Sequence, residues 1–230
     1  MTVAVVTPIY NREALTEKFL DYSTVWRNKL DERGIDTFPI AVISNETDGR
    51  LAERYKWTTL WHQNNPLSDK ANVGFLAASL FDVDGALKLD SDDFPSVDFL
   101  LSYLDLCADV NFGHVRYLYV YDRPTRRCAG KEFSRVGSCR WLSRKALEAC
   151  EWEPYETGLN NRLDGSMDRR LRGLGFEREE VRIDSPLITV KDGSNIWPYE
   201  EVIMGVRDET DPESLWRENY PEELANWMVQ

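Results

Sequence analysis

The first 110 residues repeat one rhythm four times, a short β-rich run followed by an amphipathic stretch, and this restricts the fold more than any other feature. Residues 3–7 form an apolar run. After Pro8, the side chains Leu15, Phe19, Leu20, Trp26 and Leu30 recur at helical spacing up to Gly34, with Asn11 placed to cap that helix. Residues 38–43 read as a second strand, followed by a short helix through Tyr55 capped by Thr47 or Asp48. Residues 57–61 read as a third strand, and Ser68 as the cap of an apolar helix over 69–81. Residues 85–89 make a fourth strand that runs into Asp90-Ser91-Asp92-Asp93, after which Ser96 caps a helix carrying Phe99, Leu100, Leu104 and Leu106. Strands alternating with helices at this spacing predict an α/β fold, with a mostly parallel central sheet covered by helices on both faces.

Past residue 110 the rhythm loosens. Residues 115–120 read as a strand, 143–150 and 166–171 as helices, 181–190 as one or two strands, and 211–230 as acidic helices punctuated by Pro. No repeat, low-complexity segment or linker divides the chain, so residues 1–230 are expected to form a single domain. At 42 % hydrophobic, with eight Trp, the chain has enough apolar surface to bury a sizeable core.

Charge and cysteine usage exclude several roles. With 28 basic and 40 acidic side chains the formal charge is -12, which gives no general attraction for nucleic-acid backbones or anionic lipid. A polyanion would have to be met by a local cluster: Arg123, Arg126, Arg127, Lys131 and Arg135, or Arg162, Arg169, Arg170 and Arg172. Charge runs of this kind are mostly solvated. Cys107, Cys128, Cys139 and Cys150 include no CxxC pair and read as free thiols. No basic leader with a cleavage site opens the sequence, and the longest apolar uncharged stretch, 71–81, is too short to span a bilayer, so a cytoplasmic location is the default expectation.

In an open doubly wound sheet, ligands bind beyond the carboxyl ends of the strands, where strand order reverses. Three loops at that edge are polar, 8–11, 44–48 and 90–93, and together they suit a nucleotide, the first two at base and ribose and the last at the diphosphate. Asp90, Asp92 and Asp93 crowd three carboxylates at one strand end, where they repel one another unless a cation or solvent relieves them. Carboxylate oxygens suit Mn2+ or Mg2+, ions that complete their shell with phosphates and water. The alternative is an acidic turn in which Asp93 caps the next helix.

These residues resemble glycosyltransferase family two, of GT-A fold, a Rossmann-like sheet with a small acceptor-side and C-terminal elaboration. Val5-Val6-Thr7-Pro8-Ile9-Tyr10-Asn11-Arg12 is similar to the first strand and "P-x-Y-N" turn. Ser44-Asn45-Glu46-Thr47-Asp48-Gly49 resembles the "D-N-x-S-x-D-G" loop, one residue shorter and with Ser44 for the usual Asp. Lys70-Ala71-Asn72-Val73-Gly74 resembles "K/R-x-N-x-G", and Asp90-Ser91-Asp92-Asp93 follows at the family's distance. Residues 137–147 and Met167-Asp168-Arg169-Arg170-Leu171 are similar to the acceptor-half motifs, with Met167 where an acid is usual.

The resemblance implies a nucleotide-sugar-binding half (1–110), an acceptor-binding half (111–190) and a C-terminal helical extension (191–230). It implies donor contacts from Thr7, Pro8, Tyr10, Asn45 or Asp48, Lys70, Asp90, Ser91 and Lys191, and metal ligation by Asp92 and Asp90. Asp168, in the first turn after a Ser166 cap, is then the expected catalytic base of an inverting transfer, and Asp164 the second candidate. Trp141, Trp152, Tyr155 and Trp197 are candidate sugar platforms, Asn72 an organiser of its loop, and His62 and His114 structural. Lys191 lies near Asn195 and Trp197 in a segment of the kind that closes over the diphosphate.

The resemblance does not fix the donor sugar; a UDP-sugar is expected, with UDP-glucose the first guess. The acceptor is expected to be a glycan precursor or, in a phage setting and by analogy with other small transferases, a hydroxymethylated DNA base. A nucleotidyltransferase would carry a Gly-rich loop after the first strand, which Pro8-Ile9-Tyr10-Asn11-Arg12 is not. A non-catalytic carbohydrate-binding protein on the same scaffold would not need the full acidic cluster.

Overall fold

The apolar run at the chain start becomes a strand buried on both faces, in which Val3 and Val5 turn to one core and Ala4 and Val6 to another. The computed structural model describes residues 1–134, 136–193, 199–204, 206 and 209–230. The first half alternates as its sequence predicts: β1 (Thr2–Pro8), α1 (Glu13–Asp31), β2 (Asp36–Ile43), α2 (Glu46–Arg54), β3 (Thr58–Trp61), α3 (Leu67–Ala78) and β4 (Gly85–Lys88). A short β5 (Asp93–Pro95) and α4 (Val97–Cys107) follow, with Ser96 capping α4 by accepting from the Phe99 N–H as anticipated. The second half holds β6 (Phe112–Val115), β7 (Tyr117–Asp122), β8 (Arg127–Glu132), β9 (Arg140–Ser143), α5 (Arg144–Ala149), α6 (Leu163–Gly173), β10 (Glu179–Val181) and β11 (Leu187–Lys191). It ends in α7 (Tyr199–Val202), α8 (Pro212–Asn219) and α9 (Glu222–Val229).

Seven strands form the main sheet in the order β10-β6-β9-β4-β1-β2-β3. The pairs within β4-β1-β2-β3 are parallel, and β9 is inserted antiparallel between β4 and β6. Strand order reverses around β1, where the connection from β3 returns to β4 on its other side. A second sheet, β5-β11-β7-β8, lies beyond the end of β4. One core contains Phe19, Trp26, Phe94 and Trp216, and the other contains Val6, Phe75, Leu142 and Met167. Each such buried side chain contributes about 1.5–3 kcal/mol. Gly74 brings α3 against the sheet, because a Cβ there would lie 2.4 Å from Val6 and 2.9 Å from Val42.

Several local expectations are corrected. Arg12, not Asn11, is the N-cap of α1, and Asn11 turns the chain out of β1 with φ +50°, a conformation Asn tolerates. Asn45 caps α2 ahead of both Thr47 and Asp48, by accepting from the Asp48 N–H. Helix α3 starts at Leu67 behind Pro66, so Ser68 is not its cap; the Ser68 hydroxyl accepts from Leu159 N–H instead. The single strand expected over 115–120 is two strands in different sheets, separated by Arg116. Helix α6 begins three residues before Ser166, so Ser166 is not its cap. Among the described residues no helix is long and apolar enough to cross a membrane. All four cysteines are free and buried.

Candidate active site

The carboxyl ends of β1, β2 and β4 meet at one edge of the main sheet, and the loops that leave them are tied together by side chains. Asn11 N–H donates to Asp48 Oδ2 at 3.2 Å, and Asn45 Nδ2 donates to Asn11 Oδ1 at 3.0 Å and to Asp48 Oδ2 at 2.6 Å. Asn45 and Asp48, the two candidates for the base contact, therefore hold the first two loops in register. Tyr10 is exposed above them, whereas Thr7 is fully buried and its hydroxyl has no partner among the described residues.

Lys70 departs from its expected role as a direct phosphate contact. It is 0 % exposed, and its ammonium donates to Ile9 O (2.6 Å), Ser44 Oγ (2.7 Å) and Asn64 Oδ1 (3.1 Å) under the Tyr10 ring. It thus ties together the loops that leave β1, β2 and β3. Burial pushes its ammonium down to about 8, against the pull of Asp48. The first turn of α3 carries Lys70 inward, and Asn72 exchanges two hydrogen bonds with the Tyr155 backbone, the organising role expected of it.

Each aspartate of the cluster has its own protein partner. Lys88 Nζ donates to the Asp90 carboxylate and, at 3.3 Å, to Gly137 O. Arg12 pairs with Asp92 at 2.8 Å and donates to Ser91 Oγ at 3.3 Å. Asp93 accepts from Ser138 (2.9 Å) and Thr189 (2.6 Å). The repulsion among the three carboxylates is thus answered in part by the chain's own cations. Burial opposes ionisation of Asp92, yet Arg12 and Lys191 hold its carboxyl below the usual range. Asp93, deeper and facing its two neighbours, is pushed up to about 7 by burial, Asp92 and Asp90. Asp93 is the first residue of β5 and does not cap α4; that role belongs to Ser96.

The cluster fits a hard divalent cation. One carboxylate oxygen from each of Asp90, Asp92 and Asp93 lies within 4.8 Å of the others, an all-oxygen donor set at the mouth of the sheet edge. Lys191 closes β11 beside it, since Thr189 faces Asp93 across the β5–β11 pair.

On the acceptor side, Asp168 lies in the second turn of α6 rather than the first, with its side chain 4 % exposed. It binds Arg140 at 2.8 Å and Arg178 at 2.9 Å, a buried double ion pair. Asp164 occupies the first turn instead, with its side chain 36 % exposed. Its carboxylate lies against the Cα of Gly137, where a Cβ would come within 2.7 Å, and Arg140 reaches it at 3.9 Å. Asp164 thereby neighbours the loop whose carbonyl binds Lys88, the partner of Asp90.

Trp141, Trp152 and Tyr155 are buried in the core and present no platform to the site. Trp197, Asn195 and Arg135 lie outside the described residues. Sequence reasoning missed Arg12, Arg140 and Ser138, whose partners are distant in sequence, and Lys88, which lies two residues from Asp90 inside β4. Only the place of Arg12 at the end of the first motif hinted at its role.

No protein-family model and no curated protein matches the sequence. Solved structures do match the fold. The catalytic domain of Drosophila beta1,4-galactosyltransferase 7, in complex with xylobiose, is 15 % identical with TM-score 0.54, over 81 % of this chain and 67 % of that one. A mutant of the same Drosophila enzyme, in complex with manganese, UDP-Gal and xylobiose, is 14 % identical with TM-score 0.52, over 91 % of this chain and 82 % of that one. A crystal structure of S. aureus TarS is 12 % identical with TM-score 0.59, over 83 % of this chain and 60 % of that one. The chain has the GT-A fold of these structures.

Proposed function

We propose that the protein is a metal-dependent glycosyltransferase that moves a sugar from a nucleotide-sugar, with UDP as the nucleotide, to an acceptor hydroxyl with inversion. The observation that carries this reading is the Asp90-Asp92-Asp93 cluster at the end of β4, between the interlocked β1 and β2 loops on one side and Asp164 on the other. Further support comes from the GT-A fold and from the manganese and UDP-Gal bound by one structural neighbour.

Asp92 and Asp90 would hold Mn2+ or Mg2+, which supplies Lewis acidity to the departing diphosphate. The remaining steps belong to the chain. Tyr10 faces the base, the Asn45–Asp48 pair and Lys70 hold its loops, Pro8 lines the approach to the ribose and diphosphate, and the buried Ser91 orients Arg12 by accepting from its guanidinium. Arg12 and Lys191 offer positive charge where the leaving group collects negative charge. As the acceptor oxygen bonds to the anomeric carbon, the bond to the β-phosphate oxygen breaks and its electron pair leaves with the diphosphate. The acceptor proton passes to a carboxylate.

We assign that carboxylate to Asp164 ahead of Asp168, because Asp164 is reachable from solvent while both oxygens of Asp168 bind buried arginines. Asp168 then acts as a positioning residue for α6. The acceptor is a glycan precursor or a hydroxymethylated base, and action in the cytoplasm, including that of a phage-infected cell, fits the reading.

The test is thermal denaturation with UDP, with and without Mn2+. A manganese-dependent rise of several degrees is expected for the wild type and its loss for Asp92→Ala, as stabilisation follows ligand occupancy. UDP stabilisation that ignores manganese in both proteins would remove the metal from the mechanism.

A further inference from the structure

Arg12 and Lys88 are built into the acidic cluster, and they differ in how firmly they are held. Lys88 projects from β4 with its side chain 9 % exposed, and its ammonium donates to the Asp90 carboxylate and to Gly137 O at 3.3 Å. Buried on a strand and bonded twice, it is a fixed counter-charge to Asp90. Arg12 belongs to the loop between β1 and α1, and its side chain is 18 % exposed. Its guanidinium lies 2.8 Å from Asp92 Oδ2, donates to Ser91 Oγ at 3.3 Å, and also feels the charges of Asp90 and Asp192. From the helix boundary that long side chain can re-aim without moving the backbone.

This arrangement constrains both ligands of the proposed reaction. A divalent cation brought to Asp92 meets a guanidinium already paired with that carboxylate, while Lys88 and Lys191 add positive charge. Sharing Asp92 sets like charges side by side, and displacing Arg12 leaves its charge unpaired in a partly buried site; both disfavour the free ion. A nucleoside diphosphate meets the converse difficulty. It is drawn to Arg12, whose planar fork suits phosphate oxygens. Taking Arg12 away, however, strands Asp92, whose side chain is 12 % exposed, beside two further carboxylates and a polyanion. When cation and diphosphate arrive together both penalties vanish, because the cation takes Asp92 and the diphosphate takes Arg12.

We propose that Arg12 couples the two ligands: its guanidinium guards Asp92 against a free divalent cation and exchanges that carboxylate for the donor diphosphate when both bind. This rests on the glycosyltransferase reading and adds to it a rule of binding. Mn2+ alone and UDP alone are held weakly, and each strengthens the other by one common factor, as linkage requires. Lys88 takes no part in the exchange and stays with Asp90 throughout. The site therefore loads the metal with the nucleotide rather than ahead of it.

Free Mn2+ followed by electron paramagnetic resonance, together with calorimetry of UDP, tests the proposal on the full chain. In the wild type, saturating UDP should lower the Kd of Mn2+ about tenfold or more, and saturating Mn2+ should lower the Kd of UDP by the same factor. Arg12→Gln removes the charge and keeps a polar side chain. In it Mn2+ alone should bind about five- to tenfold more tightly than in wild type, UDP alone should bind more weakly, and the coupling should fall below about threefold. Arg12→Lys keeps the charge without the fork, so Mn2+ alone should bind as in wild type while the coupling shrinks. Circular dichroism checks folding, and Arg12→Lys carries the comparison if Arg12→Gln does not fold. Equal Mn2+ affinity with and without bound UDP in the wild type, or undiminished coupling in a folded variant, overturns the proposal and leaves the transferase reading in place. No uptake of Mn2+ or UDP, singly or together, sinks both.

Discussion

Asp164 and Asp168 lie one helical turn apart on α6, yet their surroundings divide the work between them. Removing one partner of a buried ion pair leaves the other charge stranded, so Asp168→Asn should cost about 3–5 kcal/mol in urea unfolding. Asp164→Asn should leave stability near wild type and lower kcat by roughly 10²–10⁴-fold, with UDP binding kept. The reverse pattern would return the base to Asp168. His114 belongs to the same neighbourhood: it is fully buried, and burial, Arg178 and Arg140 push its imidazole down to about 4 from 6.5. The folded state therefore disfavours imidazolium, and stability that is complete above 6.5 is lost as pH falls through that value toward 4. Unfolding measured at about pH 7 and about pH 5 should show a smaller acid loss in His114→Leu than in wild type.

At the scale of elements, the position of α3 is set by the absence of a side chain. Gly74 lets the helix lie on β1 and β2, and through that contact Lys70 reaches the three loops it binds. Gly74→Ala forces a methyl into Val6 and Val42, an overpacking worth about 1–3 kcal/mol. Because α3 would be lifted, UDP affinity should fall together with stability, which calorimetry and urea titration on one sample would reveal. The strand–helix rhythm of the first half was legible because each element buries a face whose period appears in the sequence. The segment 112–122 was not, since Arg116 hands the chain from the main sheet to the second one with no turn residue to mark the change of sheet. Strand β8 carries Arg, Lys and Glu and is made a strand by its hairpin pairing with β7, whereas the four-residue β9 is made one by pairing with the distant β4 and β6.

Across the whole molecule, the C-terminal helices pack directly beneath the loop that carries the acidic cluster. Trp216 is fully buried edge-on to Phe94 and Tyr121, and Tyr220 donates to the Phe94 carbonyl at 2.7 Å. Phe94 follows Asp93 in β5, so the last elements of the chain support the carboxylates near its middle. Trp216→Ala should cost about 3–5 kcal/mol and also blunt the manganese-dependent thermal shift. An unchanged manganese response in a folded Trp216→Ala protein would show that the C-terminal pair stabilises the molecule without shaping the site.

The sequence alone determined the α/β class, the acidic cluster and the place of that cluster at the end of β4, because hydrophobic period and turn chemistry are local and each strand–loop–helix unit carries its own signal. Tertiary structure decided which charged side chains face the cleft. Lys70 is turned inward by α3, Asp168 is enclosed by Arg140 and Arg178, and Asp164 keeps its partial exposure against Gly137, where a Cβ would crowd its carboxylate. These are distances between residues far apart in the chain, set by how helices and sheets dock, and no local pattern encodes them.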